Sequence, residues 1–527
     1  MKRLLPIGIQ DFPKLREGGF VYVDKTARIH ELLTGSGQPF FLSRPRRFGK
    51  SLLCSTLGAI FEGRRELFGE MAGRPALAIN SLEWAWKKHP VIRIDLNAGD
   101  YANEGLDALR AVLSYQLKFE ADKQGVTLDD TTHAYQFAGL IQKSCNKAGE
   151  RAAVIIDEYD KPLLETINNP ATHEKIKSAL KGFYGVLKSS DPYLRFLLLT
   201  GVTKFSQVSV FSDLNHLDDL TLDPCYADLC GVTQEELERD FGPEIEKVLK
   251  ETDRNREEYM ENLHLYYDGY RFSKKPLKVY NPFGLLNHFK KGGEFNPYWY
   301  DTGTPTFLVK LIAEQKINIL NLTNMQVGYA DFRKYDVEEM RAEPVLYQSG
   351  YLTIRDYDDE LNMYMLDFPN EEVRSCFAKS LLDHYLRPSN ETAAGMHAKL
   401  LQALAKGEIE ETINTLRRFF AAIPYDIIKD TENYYQTATH LIFFMLGFNC
   451  RSEVRIADGR IDTLVETKNY VYCFEFKLDK TADEALAQID TKEYLLPWTG
   501  SGKKLFKVGV NFDSEKRNIG EWKYTAI

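Results

Sequence analysis

Apolar segments of strand length recur through the first 240 residues of this 527-residue chain, and helical stretches separate them. The strand-like segments lie at 39–42, 91–97, 152–160 and 194–202. Helical periodicity favours helices that begin at Lys50 and lie near 104–121, 134–148 and 172–188. Because continuous apolar strands that alternate with helices are typical of a parallel sheet covered on both faces, the pattern predicts an α/β domain.

The first strand is followed by a basic turn and then by Gly49-Lys50-Ser51, which opens a helix. In a phosphate-binding loop the backbone amides hold phosphate, the lysine contacts the β- and γ-phosphates, and the hydroxyl ligates Mg²⁺. The sequence therefore predicts a site for ATP and Mg²⁺. The residues expected to form it are Arg46, Arg47, Phe48, Gly49, Lys50, Ser51 and Leu52. On its own, this segment also fits a basic turn that binds no ligand.

The loop departs from the usual GxxxxGK[ST] pattern at its first position, where Arg44 stands in place of glycine. Pro45 and two further arginines follow, so we expect a loop that is stiffer and more cationic than usual.

Asp157 and Glu158 end the apolar strand 152–160. An aspartate there suits a Mg²⁺ ligand, and the glutamate after it suits a general base for water. Thr200, at the end of the next strand, is a candidate sensor of the γ-phosphate, with Thr203 or Lys204 as alternatives. The competing interpretations are a buried strand that ends in an acidic turn and a simple passage from strand to loop.

Charge and cysteine content limit the class of protein. The net charge of −9 excludes a surface that is basic throughout, although residues 1–60 hold ten Lys/Arg against four Asp/Glu. The seven cysteines are scattered without a CxxC pair, which argues against a disulfide framework and a zinc ribbon. The N-terminus is not typical of a signal peptide, and the longest apolar run near the C-terminus, 441–448, is too short to span a bilayer. We therefore expect a cytoplasmic protein without a membrane segment.

The residue composition and spacing change twice after the first domain. Residues 241–390 are rich in aromatic residues and turns, and residues 391–422 have helical spacing. From about 425 the pattern predicts a helix at 432–447, strands at 453–457, 461–467 and 470–478, a helix at 481–495 and a strand at 504–512. These shifts predict three domains, at 1–240, 241–424 and 425–527.

Acidic and basic residues recur at strand spacing in this last domain. Asp462 lies in one strand, and Glu475 and Lys477 lie two apart in the next, so the latter two share a face. Asp462 and Glu475 can hold a divalent metal through carboxylate oxygens, and Lys477 can orient or polarise an attacking water. An isolated pattern of this kind also arises in ordinary amphipathic strands.

The D…ExK spacing resembles that of the PD-(D/E)XK nucleases. The resemblance implies that Glu432, on the helix before these strands, is an additional acidic ligand. It also implies a Gln…Tyr pair on the following helix, at Gln488 and Tyr494.

The N-terminal segments resemble the AAA-ATPase-like family that is widespread in bacteria. The segments are LPIGIQDF (5–12), FVYVDKT (20–26), FLSRPRRFGKSL (41–52), IIDEYDKPL (155–163) and LLLTGVTKFS (197–206), and the later YYDGYRF (266–272), YNP (280–282) and LYQSGYLTI (346–354) segments resemble the rest of that family. The resemblance implies an additional-strand ATPase sheet followed by a helical or winged-helix-like middle region. In that family arginine at the first loop position is ordinary. Val23 to Thr26 precede the loop by one helix, and we hypothesise that they lie near the nucleotide base.

Together these patterns predict an ATPase fused to a Mg²⁺-dependent nuclease, with nucleic acid, DNA being favoured, as the partner. The catalytic residues expected are Glu158, Asp462, Glu475 and Lys477; the metal ligands expected are Ser51, Asp157, Glu432, Asp462 and Glu475. The alternative is a nucleotide-switched binding or signalling ATPase, related to defence or mobile elements, whose nuclease-type domain binds without cutting. The sequence leaves homo-oligomer formation open, and Arg46, Arg47 and Arg271 are candidate arginine fingers.

Overall fold

A computed structural model describes most of the chain. The described residues are 3–35, 39–204, 217–302, 308–309, 311–312, 322, 325–329, 342–386, 390–421, 431–445, 449–456 and 459–527. Within these ranges every helix is too short or too polar to cross a membrane.

The helices and strands alternate through the first part of the chain. The helices are α1 (Phe12–Glu17), α2 (Thr26–Thr34), α3 (Lys50–Phe61), α4 (Tyr101–Glu104), α5 (Leu106–Gln124), α6 (His133–Ala148), α7 (Lys161–Glu165), α8 (Pro170–Ser189), α9 (Gln234–Thr252), α10 (Arg256–Tyr267), α11 (Pro282–Lys290), α12 (Ala342–Gln348), α13 (Glu371–Leu386), α14 (Asn390–Lys406), α15 (Ile409–Ala421), α16 (Glu432–Met445) and α17 (Ala482–Thr491). The strands are β1 (Phe40–Ser43), β2 (Val91–Asp95), β3 (Ala152–Asp157), β4 (Leu194–Gly201), β5 (Asp218–Asp219), β6 (Met325–Gly328), β7 (Thr353–Asp358), β8 (Met363–Asp367), β9 (Asn449–Ile456), β10 (Gly459–Glu466), β11 (Tyr470–Leu478), β12 (Lys504–Asp513) and β13 (Asn518–Ala526).

The first five strands form one parallel sheet in the order β2-β3-β4-β1-β5. Strand β4 lies between β1, which leads into the loop, and β3, which ends at Asp157. Burial along β1, β3 and β4 is nearly continuous, because helices cover both faces of a parallel sheet. The predicted α/β class and the additional strand are confirmed, and β5 is a strand that the sequence analysis did not predict.

The chain divides into two compact units. The first comprises Met1–Trp299 and Asn324–Asn370, and the second comprises Tyr300–Thr323 and Glu371–Ile527. The first unit adds to the parallel sheet a small antiparallel sheet, β6-β8-β7, and a core formed largely by α9, α10 and α11. The division into three domains stays a prediction, and its second boundary, at 424, lies outside the described residues.

The second unit contains α13 to α17 and a sheet in the order β13-β12-β11-β10-β9. Strands β11 and β12 are parallel, and their connection runs through α17, since a parallel pair needs a crossover. The other neighbours are antiparallel. The helical middle region and the C-terminal α/β domain are thus as predicted, whereas β13 was not predicted.

Candidate nucleotide and nuclease sites

The segment after β1 has the geometry of a phosphate-binding loop. Arg47 and Gly49 adopt left-handed φ angles of 66° and 99°, and α3 begins directly afterwards at Lys50. The Lys50 side chain is buried and donates to the carbonyl oxygens of Arg44 at 3.2 Å and Pro45 at 3.3 Å. The ammonium is therefore held inside the curve of the loop, where the amides and the α3 dipole favour an anion.

Arg44 points into the protein and away from any ligand on the loop. Its guanidinium donates to the carbonyl oxygens of Ser43 at 2.8 Å, Thr221 at 2.9 Å and Tyr226 at 3.1 Å. It also stacks on the ring of Phe272, 4.3 Å from the centroid. Burial lowers the pKa of this guanidinium. Of the three arginines in the loop, the exposed Arg46 and Arg47 alone can therefore place positive charge near a bound phosphate.

Residues far along the chain hold the middle of the loop. The Trp299 indole donates to the Arg46 carbonyl at 2.9 Å. A Cβ on Gly350, whose φ is +88°, would approach Pro45 to 2.7 Å, so this position accommodates glycine alone. The NPYW and LYQSGY segments therefore support the phosphate loop directly.

The end of the loop is held by aromatic contacts. The Arg47 guanidinium lies 5.2 Å from the centroid of the Phe283 ring. Phe48 is buried and meets Tyr270 edge-on, with ring centroids 4.7 Å apart. Because the Phe48 side chain is packed in the core, its expected part in nucleotide binding would come from its backbone amide. Leu52 is half-buried on the first turn of α3.

Acidic groups converge beside Lys50. Asp157 is hydrogen-bonded to the Ser51 side chain, and burial together with the Glu158 charge raises its pKa to about 6. Glu158 adopts a left-handed φ of 52°, and its Oε1 lies 3.5 Å from the Lys50 Nζ. Asp95 is paired in register with Asp157 at the end of β2. Asp95 was not among the site residues predicted from the sequence, although it ends a strand as Asp157 does.

The three candidate γ-phosphate sensors differ in their surroundings. Thr200 is fully buried at the tip of β4, and its hydroxyl has no hydrogen-bond partner within the described residues. Thr203 donates its hydroxyl to Asp160 at 2.6 Å, and Lys204 pairs with Asp219. Thr200 is therefore the candidate whose hydroxyl is left available for a ligand.

In the second unit the nuclease-type residues meet at β10 and β11. The antiparallel register pairs Thr463 with Phe474, which places Asp462 opposite Glu475. Asp462 Oδ2 accepts from the Phe476 backbone N–H at 2.9 Å. Lys477 donates to Glu475 Oε1 at 2.9 Å, and both side chains are buried. The structure thus brings Asp462, Glu475 and Lys477 together.

Helix α16 contributes a residue that the sequence analysis missed. The buried Gln436 donates through Nε2 to Asp462 Oδ1 and to the Asp462 carbonyl, each at 3.4 Å. Glu432 lies four residues earlier, on the same face of α16, because i and i+4 are neighbours on a helix. The Glu432 side chain itself lies outside the described residues. The i+4 spacing from Glu432 could have indicated Gln436.

The other expected pair lies on the opposite side of β11 and β12 from α16. Gln488 donates to the Tyr494 hydroxyl at 3.2 Å, and Tyr494 is buried in a core cluster with Ile489. A Cβ on Gly509 would approach the Ala482 carbonyl to 2.5 Å. Since Gly509 is paired with Glu475 in register, this glycine lets α17 lie close to the strand that carries Glu475.

The donor sets fit Mg²⁺, which prefers carboxylate, hydroxyl and water oxygens. One set is Ser51 with Asp157, and the other is Asp462 with Glu475. Among the described side chains, no three His, Cys, Asp or Glu groups gather into a complete metal site. Water and substrate phosphates usually complete the shell around Mg²⁺, so two protein ligands agree with this metal better than with structural zinc.

Comparisons with known proteins agree with the predicted ATPase and nuclease-type domains. Residues 6–211 match a family model described as "Predicted AAA-ATPase", and residues 430–522 match the "PD-(D/E)XK nuclease superfamily". The chain is 35% identical over 529 residues to a protein of Azotobacter chroococcum mcd 1 described as "Uncharacterized protein in vnfD 5'region", and the alignment covers 98% of each chain. No solved structure matches.

Proposed function

The chain belongs to the family of predicted AAA-ATPases that carry a C-terminal PD-(D/E)XK nuclease superfamily domain, and from this premise we propose that it hydrolyses ATP and cleaves nucleic-acid phosphodiester bonds. The observation that carries the proposal is that each half has its charged groups gathered at one place. Lys50, Ser51 and Asp157 adjoin in the first unit, and Asp462, Glu475 and Lys477 adjoin in the second.

In the ATPase half, Lys50 and the amides of the loop bind the β- and γ-phosphates. A phosphate on the loop competes with Glu158 for the Lys50 ammonium, which now lies 3.5 Å from the carboxylate. Once released, Glu158 accepts a proton from the attacking water. Thr200 donates its hydroxyl to the γ-phosphate, and Ser51 with Asp157 holds Mg²⁺.

In the nuclease half, Asp462 and Glu475 hold Mg²⁺, with Glu432 as a further ligand. Bound Mg²⁺ supplies charge neutralisation at the phosphate oxygens and lowers the pKa of water. Lys477, held by Glu475 at 2.9 Å, orients the attacking water and stabilises charge at the phosphate. DNA is the favoured substrate.

We further propose that the nucleotide state regulates cleavage. The chain leaves the first unit for the second at 299–300 and again at 370–371. Trp299 donates to the loop carbonyl of Arg46, and Asn370 donates to the carbonyl of Asp268 at 2.8 Å. At each of these two exits, the last residue of the first unit therefore donates a hydrogen bond, in one case to the phosphate loop and in the other to the 266–272 segment. A change at the loop therefore acts on the two places where the chain leaves that unit.

The test is a cleavage assay on single- and double-stranded DNA and RNA with Mg²⁺. It compares no nucleotide, ATP, ADP and a non-hydrolysable ATP analogue, and it measures phosphate release in parallel. We expect cleavage of DNA at a rate that differs between the nucleotide conditions. Intact substrates in every condition would refute the nuclease proposal, and nucleotide-dependent DNA binding without cleavage would favour the alternative of a binding ATPase.

Two variants separate the halves. Glu475→Gln should abolish cleavage and leave phosphate release unchanged, whereas Glu158→Gln should abolish phosphate release and leave ATP binding intact. Glu515→Gln, at an exposed position in the same unit as Glu475, is the matched control and should change neither activity.

A further inference from the structure

Strand β13 is the outermost strand of the C-terminal sheet, and it pairs with β12 on its inner side. Leu505 and Ile527 exchange both of their backbone hydrogen bonds, at 3.2 and 2.8 Å. Because such bonds alternate along an antiparallel pair, the N–H and C=O groups of Trp522, Tyr524 and Ala526 point away from β12. Within the described part of the chain, these outward groups meet no hydrogen-bond partner.

The first residues of β13 are covered on the outer side, and the later ones are not. Arg417 of α15 donates to the carbonyl oxygens of Ile519 at 3.2 Å and Gly520 at 2.7 Å. Asn518 donates back to the Arg417 carbonyl at 3.0 Å. Beyond them every residue at 523–526 is exposed, with 49% of the Tyr524 surface open to solvent. We call residues 521–526 the open edge.

The open edge lacks the usual protection of an exposed strand. Native proteins block such edges with proline, with a lysine that projects past the strand, or with a covering element. The open edge contains no proline. Its lysine, Lys523, is bound to Asp483 of α17 at 2.5 Å, and Glu521 accepts from the Ala482 N–H at 3.2 Å. Both charged side chains are therefore held against their own domain, and the outward backbone groups are left to pair with another strand.

An aromatic surface borders the open edge. The rings of Trp522 and Tyr524 lie on one face of β13, with centroids 6.1 Å apart and planes 12° from parallel. The Tyr524 ring also lies 6.1 Å from that of Phe506 on β12. Since aromatic cross-strand pairs stabilise sheets, a strand added here gains side-chain contacts as well as backbone hydrogen bonds.

We propose that the open edge binds the open edge of a second copy of this chain, so that two β13 strands pair antiparallel and two five-stranded sheets become one. A two-fold axis makes such a pair self-complementary, because each copy supplies the same donors and acceptors to the other. The pairing goes beyond the two proposed activities and rests on neither of them.

Charge and existing contacts rule out the neighbouring registers. A pair centred on Lys523 sets two ammonium groups opposite each other, which is destabilising. A pair centred on Trp522 sets Tyr524 opposite Gly520, whose carbonyl Arg417 already holds. Pairs centred beyond Tyr524 align fewer residues of the open edge.

The register centred on Tyr524 meets none of these obstacles. It sets the large Trp522 opposite the small Ala526 and Lys523 opposite Thr525. The outward groups then form about six backbone hydrogen bonds between the copies. Five strand-to-strand steps of about 4.8 Å separate the two copies of Glu475, which places two nuclease-type sites about 24 Å apart on one sheet, counted across the strands.

The first test is the mass of the full chain in solution, measured by light scattering. We expect twice the 60.6 kDa of one chain, and the monomer mass for Tyr524→Pro. Proline removes an outward N–H that β12 does not use, so circular dichroism should show the strand intact. Tyr524→Val is the matched control, since it also loses the ring but keeps the N–H, and it should remain dimeric. A wild-type monomer at about 100 µM, or a folded Tyr524→Pro that stays dimeric, would overturn the proposal.

A cross-linking test does not depend on the proline variant. Under mild oxidation Tyr524→Cys should join two copies through a symmetric disulfide, because directly opposed residues have Cα atoms about 5.5 Å apart. Thr525→Cys, at the exposed next position, should not, since it opposes position 523 of the second copy. Peptide mapping identifies the linked position. Linkage at neither position would overturn the pairing, and linkage at 525 in place of 524 would overturn the register.

Discussion

Arg44 stands where a phosphate-binding loop usually has glycine, and restoring the glycine should damage the protein. The guanidinium donates to the three carbonyls of Ser43, Thr221 and Tyr226 and stacks on Phe272. Arg44→Gly leaves those carbonyls buried with fewer donors and adds a flexible residue at the start of the loop. The change should therefore lower the free energy of unfolding of the first unit.

The magnitude follows from the contacts. Hydrogen bonds that involve a charged group contribute about 1.5–3 kcal/mol each, and a desolvated cation–π contact contributes about 2 kcal/mol. The cost of burying the guanidinium opposes these gains, and the contacts are not independent. A buried carbonyl that loses its donor costs about 1–3 kcal/mol, so we adopt about 3–5 kcal/mol in total for Arg44→Gly.

The assay is urea denaturation followed by fluorescence, with Arg46→Ala as the matched control. Arg46 is exposed, so its removal should change the unfolding free energy by less than about 0.5 kcal/mol while weakening ATP binding. Arg44→Lys should fall between wild type and Arg44→Gly, because an ammonium lacks the planar fork that reaches several carbonyls. An unfolding free energy of Arg44→Gly within about 1 kcal/mol of wild type would refute the reasoning.

Three further predictions concern Glu120, Gln436 and Trp299. Burial raises the pKa of Glu120 to about 7 from 4.5. Between these pH values the folded chain therefore binds one more proton than the unfolded chain. The free energy of unfolding should fall by up to about 3 kcal/mol as the pH rises from 4.5 to about 7. Denaturation at pH 4.5 and 8 should show a fall in stability that is smaller in Glu120→Gln than in wild type by about this amount; an equal fall in both proteins would contradict the assignment. Gln436→Ala frees the Asp462 carboxylate from its donor and should slow DNA cleavage about 10–100-fold without changing phosphate release, and parallel loss of both activities would indicate a folding defect instead. Trp299→Phe removes the donor to the Arg46 carbonyl and should weaken ATP binding up to about tenfold in a calorimetric titration, whereas unchanged affinity would show that the loop does not need this contact.

The buried strands were predictable because burial on both faces leaves a continuous apolar run. The segment predicted at 194–202 is Leu194–Gly201 in the structure, and that predicted at 91–97 is Val91–Asp95. Strand β13, Asn518–Ala526, was missed because it lies at a sheet edge, where exposed charged and polar residues interrupt the apolar pattern. Strand β5 has two residues, too few for any periodicity.

Site residues were predictable where residues that act together lie close to one another in the sequence. The spacing of Glu475 and Lys477 fixes their shared face, and the register then brings Asp462 to them. The direction of Arg44 was not predictable, since carbonyls about 180 residues away in the chain decide it. Gln436 was missed for a similar reason, because its partner belongs to a strand whose position relative to α16 depends on the tertiary fold.

The YDGYR segment shows why a motif can be evident in sequence and still have no derivable role. Gly269 has a φ of +97°, and a Cβ there would lie 1.9 Å from the Pro369 carbonyl, so the segment approaches the backbone just before the chain leaves the first unit at 370–371. Tyr270 packs on Phe48 at the end of the phosphate loop. Arg271 is buried and donates to the Ser273 carbonyl at 2.9 Å and the Arg355 carbonyl at 3.0 Å, so its contacts serve the chain's own backbone. Of these partners, Ser273 is close to the motif in sequence, whereas Phe48, Arg355 and Pro369 are far from it. The segment therefore links the nucleotide loop to residue 369 by packing and backbone contacts, which makes it the physical basis we expect for any coupling of ATP to cleavage.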